Sequence, residues 1–250
     1  MDRKDSAKVE SELMDVMQII ANIFLIFFPF LFALCFHEFS HGFVAKLKGD
    51  NTAEVMGRLT LNPLVHMDFI GTLVLPLISI VSITQGGPSF FFGWAKPVPV
   101  SIRNLKNPRN DMFWIALAGP LSNILLGFIA AFVYVFVMTK VGASAQDAVK
   151  KLFSMFIITN VSLAVFNMIP LHPLDGGKVL ARFLPASINY KLEQNEHITS
   201  LILLFIFITG LGALISFPVR WITRVPFMFM YGCSLYAILL TSNIFNIGVG

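Results

Sequence analysis

Apolar residues fall in long blocks along this 250-residue chain. The blocks at about 16–45, 111–138, 152–171, 198–217 and 225–246 each hold roughly 20 or more residues with few polar interruptions. A helix needs roughly 20 such residues to cross the hydrocarbon core of a bilayer, so these five blocks predict spanning helices. A sixth block, 69–84 ("FIGTLVLPLISIVSIT"), is shorter and carries Pro76. The stretch after it, "QGGPSFFFGWAKPVPV", is rich in Gly, Pro and aromatic residues and predicts irregular or extended backbone. The polar stretches are the N-terminal segment 1–15, 46–68, 99–110 and 186–197. None is long enough to set apart a soluble domain, and no internal repeat is visible. The pattern predicts one integral-membrane domain over 1–250. Its class is all-α polytopic, with five to six transmembrane helices and a re-entrant or short β element between the first and third apolar runs.

Composition sharpens this reading. Only 13% of residues are charged, against about 25% in soluble proteins. The deficit runs through the whole chain, which excludes a soluble enzyme on a single anchor. The net charge of +4 is scattered, with no basic stripe interleaved with aromatics, so nucleic acid is not an expected partner. Cys35 and Cys233 both lie in apolar runs and read as buried thiols. The N-terminus "MDRKDSAKVESELMD" shows no small-residue cleavage site, so the first apolar run is expected to be retained.

Against this apolar background the stretch "FHEFSHGF" stands out. Ionisable side chains deep in a spanning helix cost several kcal/mol on most scales. His37, Glu38 and His41 fit H-E-x-x-H. At about 100° per residue, His41 lies about 40° from His37 and Glu38 about 100° from it. All three occupy one sector. Two imidazoles at i and i+4 can bind one zinc, and the neighbouring carboxylate can act as base. Cys35 faces away from this sector. Zinc needs a third protein ligand. The candidates are His66 and Asp68 in "LNPLVHMDFIG" and His172 and Asp175 in "NMIPLHPLDGGKV". Asp175 is the strongest by position, although Asp-Gly is also ordinary turn chemistry. His197 reads as a solvated residue near a helix start.

These motifs together resemble the site-2 protease family of intramembrane zinc metalloproteases. The resemblance rests on "HEFSH", "GRLTLNPLVHMD", "FGWAKPVPV", "AGPLSN" and "FNMIPLHPLDGG", and covers most of the chain. It implies that Asp175 is the third ligand of one zinc ion, that Glu38 is the base, and that Asn167 contacts the substrate or the developing oxyanion. His66 is a second candidate for that donor role. The resemblance is to the compact bacterial branch without PDZ or CBS domains. It implies substrates that are single-pass membrane proteins, such as membrane-bound regulators or signal-peptide remnants. A catalytically inactive scaffold of the same fold and a metal transporter are the rival functions. The transporter is disfavoured because the runs 198–217 and 225–246 carry no His, Asp or Glu. Oligomeric state stays open.

If Asp175 joins His37 and His41, the two helix ends must lie on one side of the membrane. The 111–138 run supplies one crossing, so 69–84 is expected to enter and return. The metal side then carries 10 Lys and Arg against 8 on the other, which favours the cytoplasmic face of a bacterial membrane. His41 and His37 would sit roughly 8 and 14 Å inside Lys46. In "AGPLSNILLGFIAA", small residues at helical spacing predict close helix packing, Pro120 a loosened backbone, and Asn123 interhelical glue or support of the site. Finally, "GRLTLNP" alternates like a short strand, which could pair with an unwound substrate segment.

Overall fold

The computed structural model describes residues 3–86, 93–208 and 217–232. Among these residues the secondary structure is helical and no strand forms. Three segments are long and apolar enough to cross a membrane: Lys8–Leu47, Pro108–Met138 and Ala143–Asn167. The first lies in α1 (Arg3–Leu47), the second is α5 (Pro108–Met138) and the third is essentially α6 (Gln146–Asn167). Between α1 and α5 lie two single turns, α2 (Thr52–Val55) and α3 (Pro63–His66). A π-helical turn, Phe69–Val74, then leads into α4 (Leu75–Thr84). After α6 come α7 (Asp175–Ala181), α8 (Ala186–Gln194), α9 (Glu196–Ile208) and α10 (217–232). The expected runs 198–217 and 225–246 lie only partly within the described residues, and Cys233 lies outside them.

Two boundaries differ from the apolar pattern. The polar 1–15 segment is helical from Arg3 onward and continuous with the spanning part of α1. Its charges suit a solvated helix, with Lys8 and Glu12 paired at i, i+4. The run read as 152–171 forms a helix over Gln146–Asn167. It stops short of Pro170, because the residue before a proline disfavours the helical region.

The three long helices pack through narrow stripes. On α5 the buried positions are Asp111, Ile115, Ala116, Gly119, Pro120, Asn123, Gly127, Ala130, Ala131 and Tyr134. That spacing of three and four follows one face of a helix. The opposite face, with Leu125, Phe132 and Phe136, stays exposed and apolar, as a lipid-facing surface does. On α6 the buried set is Ile157, Asn160, Val161 and Ala164. Lipid supplies no hydrophobic drive between helices, so small residues and interhelical hydrogen bonds hold such a bundle. Ala130, Ala131, Tyr134, Ile157, Val161 and Met230 form one core cluster linking α5, α6 and α10.

Residues 50–86 and 93–101 lie antiparallel to one another against α1. Asp50 accepts hydrogen bonds from the Ser101 backbone N–H (2.7 Å) and the Asn104 side chain (2.8 Å), so both ends meet. Further along, the Lys96 N–H donates to the His66 carbonyl, and the Trp94 N–H to the Gly71 carbonyl. Met67 and Ala95 form an isolated antiparallel bridge. The end of α4 reaches Asn22 of α1, whose amide donates to Thr84. The chain therefore runs out along 57–84 and back along 93–101. The strand expected in "GRLTLNP" does not form. Residues 57–62 make bends and turns, and the Thr60 carbonyl accepts from the His66 side chain rather than a strand partner. The extended backbone lies instead in 93–101, as the Gly, Pro and aromatic composition predicts.

Candidate metal centre

His37, His41 and Asp175 come together from α1 and the first turn of α7. Nε2 of His37 and Nε2 of His41 lie 3.1 Å apart, and Asp175 Oδ2 lies 3.0 and 3.2 Å from them. The helical i, i+4 spacing brings the two imidazoles to one level. Asp175 arrives because α6 ends at Asn167, the chain turns through 168–174, and α7 begins with the carboxylate. The glycines after Asp175 permit this turn. A Cβ on Gly176 would stand 2.4 Å from the carbonyl oxygens of Met168 and Ile169.

The tautomers follow from the partners. Nδ1 of His41 is 2.7 Å from the Ile115 carbonyl oxygen, which can only accept, so that nitrogen carries the proton. Nδ1 of His37 is 2.7 Å from Asn123 Oδ1. The Asn123 amide nitrogen already donates to the Ala33 carbonyl and to Asn160 Oδ1, each at 3.0 Å. Its oxygen must therefore face His37, and Nδ1 of His37 is the donor. Asn160 in turn donates to the Phe156 carbonyl. Both imidazoles thus present an Nε2 lone pair toward Asp175 Oδ2, a buried oxygen with no hydrogen-bond donor.

Three lone pairs converging without a donor among them suit a cation. A tetrahedral zinc about 2.0–2.1 Å from each ligand separates neighbouring ligand atoms by about 3.3 Å. The observed 3.0–3.2 Å edges are close to that value. Among the described residues, these three are the group whose ligand atoms could hold a metal. Gly119 leaves room for them, since a Cβ there would lie 2.5 Å from His41 Nε2.

The triangle opens into a cleft of about 650 Å³ with mostly apolar walls. Glu38 lines it, with its Oε2 accepting from the Val98 backbone N–H at 2.8 Å. Asn167 lines it too, while donating to the Leu163 carbonyl one turn back. His66 sits apart, buried against Thr60 and outside the cleft wall. His172 is buried beside a smaller pocket of about 230 Å³, and Thr199 donates to its carbonyl. His197 is exposed near the start of α9. Cys35 is buried and takes no part in the metal group. Asn123 supports the site and joins α1, α5 and α6 at once. Asn160, Gly119, the Ile115 carbonyl and the Val98 N–H were not singled out by the sequence. The quoted "AGPLSN" contains Gly119 and Asn123 and the quoted "FGWAKPVPV" contains Val98, but nothing in the sequence marks Asn160 or Ile115.

A helical bundle with a buried His–His–Asp triangle and an adjacent glutamate is the site of a membrane-embedded zinc hydrolase. The chain belongs to Peptidase family M50, the site-2 protease family, whose profile matches residues 24–141 and 135–211. It is 35% identical over 185 residues to "Putative zinc metalloprotease YwhC" of Bacillus subtilis (strain 168), covering 73% of this chain and 79% of that protein. It is 28% identical over 171 residues to "Putative zinc metalloprotease Rip2" of Mycolicibacterium smegmatis (strain ATCC 700084 / mc(2)155), covering 68% and 61%. With "Stage IV sporulation protein FB" of Bacillus subtilis (strain 168) it shares 27% identity over 123 residues, 49% of this chain and 39% of that one. No solved structure matches the chain at significant similarity. The protein is a membrane protein of a metalloprotease family, and zinc is its cofactor.

Proposed function

We propose that this protein is a zinc-dependent endopeptidase that hydrolyses peptide bonds in or near the transmembrane segments of other membrane proteins. The observation that carries the reading is the His37–His41–Asp175 triangle opening, beside Glu38, into an apolar cleft between membrane-spanning helices. Such a cleft suits an apolar, unwound substrate segment. The substrates would be single-pass membrane proteins, such as membrane-bound regulators or signal-peptide remnants. The protein would sit as a multi-pass element of a bacterial cytoplasmic membrane, with the zinc near the cytoplasmic face. The run 69–84 would enter and return, a reading supported by the contact between Asp50 and Ser101 on its two sides.

His37, His41 and Asp175 would hold the zinc, which would supply the Lewis acidity that activates water and polarises the scissile carbonyl. Glu38 has Oε2 engaged by the Val98 N–H, which leaves Oε1 to take a proton and return it to the leaving amine. Asn167 has one amide hydrogen on the Leu163 carbonyl and a second for the developing oxyanion. The apolar walls exclude bulk water from the scissile segment.

The test is cleavage of a single-pass membrane substrate by purified protein in detergent, with zinc measured in each sample. Wild type should hold one zinc and cleave. Glu38→Gln should hold zinc and lose turnover by about 10²- to 10⁴-fold. Asp175→Ala should lose both. A wild type that binds zinc yet cleaves nothing across a panel of such substrates would overturn the reading in favour of a scaffold.

A further inference from the structure

We infer that Arg58 is a positioning residue for Glu38, acting through the backbone of residues 96–98. This rests on the reading of Glu38 as the base. Arg58 Nη2 donates to the carbonyls of Lys96 (2.9 Å) and Pro97 (3.3 Å). The next backbone group along the chain is the Val98 N–H, which donates to Glu38 Oε2 at 2.8 Å. Arg58 has no carboxylate partner among the described ion pairs, and its buried Nε makes no hydrogen bond. The contacts recorded for its charged end are therefore the two carbonyls.

The rest of the segment is fixed in the same manner. The Trp94 N–H donates to the Gly71 carbonyl, and the Trp94 carbonyl accepts from Thr72 Oγ1 at 2.6 Å. The Lys96 N–H donates to the His66 carbonyl, and the His66 ring is tied to Thr60. Pro97 and Pro99 have no N–H. Between these two prolines the sole amide hydrogen is that of Val98, and it points at the glutamate. Gly42 lies one turn after Glu38 on α1, where a Cβ would meet Val98 Cγ1 at 3.0 Å. The absent side chain lets Val98 pack against α1 at the height of Glu38. "GRLTLNP" and "GWAKPVPV" are thus two halves of one clamp, and its product is a fixed donor for one carboxylate oxygen. A free glutamate side chain samples several rotamers. A displacement of about 1 Å in a reacting group can cost about 10²-fold in rate.

Two measurements test this. The first is hydrogen exchange at the Val98 amide, read from a peptide spanning 97–99, which needs no protease activity. Arg58→Ala should speed that exchange by about tenfold or more, while Arg58→Lys, which can still reach a carbonyl, should leave it nearer wild type. The second is turnover. Arg58→Ala should lower kcat by about 10- to 100-fold with KM within about twofold and zinc content unchanged. Gly42→Ala, which pushes Val98 off α1, should shift both readouts in the same direction. In a Glu38→Asp background, where the shorter carboxylate has already lost its place, Arg58→Ala should cost less than about threefold. An equal loss in both backgrounds, a raised KM with kcat intact, or unchanged Val98 exchange would overturn the inference. A wild type no more active than Glu38→Gln would instead refute the proteolytic reading, and Val98 exchange would still decide whether the clamp exists.

Discussion

The two halves of the site are built in different ways. The metal half stands on long helices: His37 and His41 on α1, backed by Asn123 and the Ile115 carbonyl on α5, and by Asn160 on α6. Asn123 and Asn160 are fully buried, with partners for their polar atoms. The base half adds a segment without strands, where the Val98 N–H donates to Glu38 and the backbone beside it is held by Arg58, Thr72 and the His66 and Gly71 carbonyls. The metal half fixes the ring orientation of its ligands, which metal affinity depends on. The base half fixes one carboxylate, on which turnover would depend if Glu38 acts as proposed. The difference predicts that damage to the base half should spare zinc binding, whereas damage to the metal half should remove zinc and cleavage together.

The strongest test of the division is Gly119→Val. The added Cβ would stand 2.5 Å from His41 Nε2 and 2.6 Å from His37 Cε1. The rings cannot yield without losing their Nδ1 partners. Zinc content measured on the purified variant should fall to background, and cleavage with it. Zinc retained at wild-type level would show that the rings have more freedom than their hydrogen bonds imply.

Asn123→Ala should come next. It leaves the Nδ1 hydrogen of His37 buried without an acceptor, and removes the donor from Asn160 Oδ1. Loss of such an outer partner costs about 10- to 100-fold in metal affinity. Leaving buried polar groups unpaired costs about 1–3 kcal/mol each in stability. Competition with a zinc chelator and a melting curve would read these two effects separately. Val98→Pro is the matching lesion in the other half. It deletes the one N–H that reaches Glu38 and adds no charge. Turnover should fall at least as far as in Arg58→Ala, by about 100-fold, while chelator competition should match wild type. If Val98→Pro also weakened zinc, the two halves would be one unit.

The same division explains what could be read in advance. H-E-x-x-H is a local pattern whose geometry follows from helical periodicity, so the pairing of His37 with His41 and the place of Glu38 beside them were legible from spacing alone. Asp175 needed the family resemblance, because its approach depends on a turn over 168–174 that no periodicity encodes. The spanning parts of α1 and α5 were legible as apolar blocks. The helical start at Arg3 was not, because solvated helix turns carry no apolar signature. Asn160 reads as one more polar residue in an apolar run until Asn123 is placed against it. The Val98 N–H and the Ile115 carbonyl are backbone atoms, so the residue type says nothing of their role. The alternation in "GRLTLNP" misled because it arises from different causes. Leu59 packs toward Gly42, whereas Leu61 is 47% exposed.

The smallest expected effect concerns the foot of the hairpin. Asp50 is fully buried and accepts from Thr52 N–H (3.1 Å), Ser101 N–H (2.7 Å) and Asn104 Nδ2 (2.8 Å). Burial pushes its carboxyl up, but these donors together with the Thr52 hydroxyl outweigh it, and the group titrates below the ordinary carboxylate range. A folded pKa below the unfolded value of about 3.9 adds stability that is complete above that pH. That stability is lost as pH falls through the folded value. Asp50→Asn turns an amide donor toward groups that also donate, and should cost about 1–3 kcal/mol at neutral pH. The melting-temperature gap between the two proteins should therefore be constant from pH 7 to about 5 and close below about pH 4. Because Asp50 ties 50–52 to 101–104 and touches neither zinc ligands nor Glu38, zinc content at pH 7 should be unchanged. A gap that did not narrow at all as the pH fell below about 4 would mean that the carboxylate's charge is not what holds the two ends of the hairpin together.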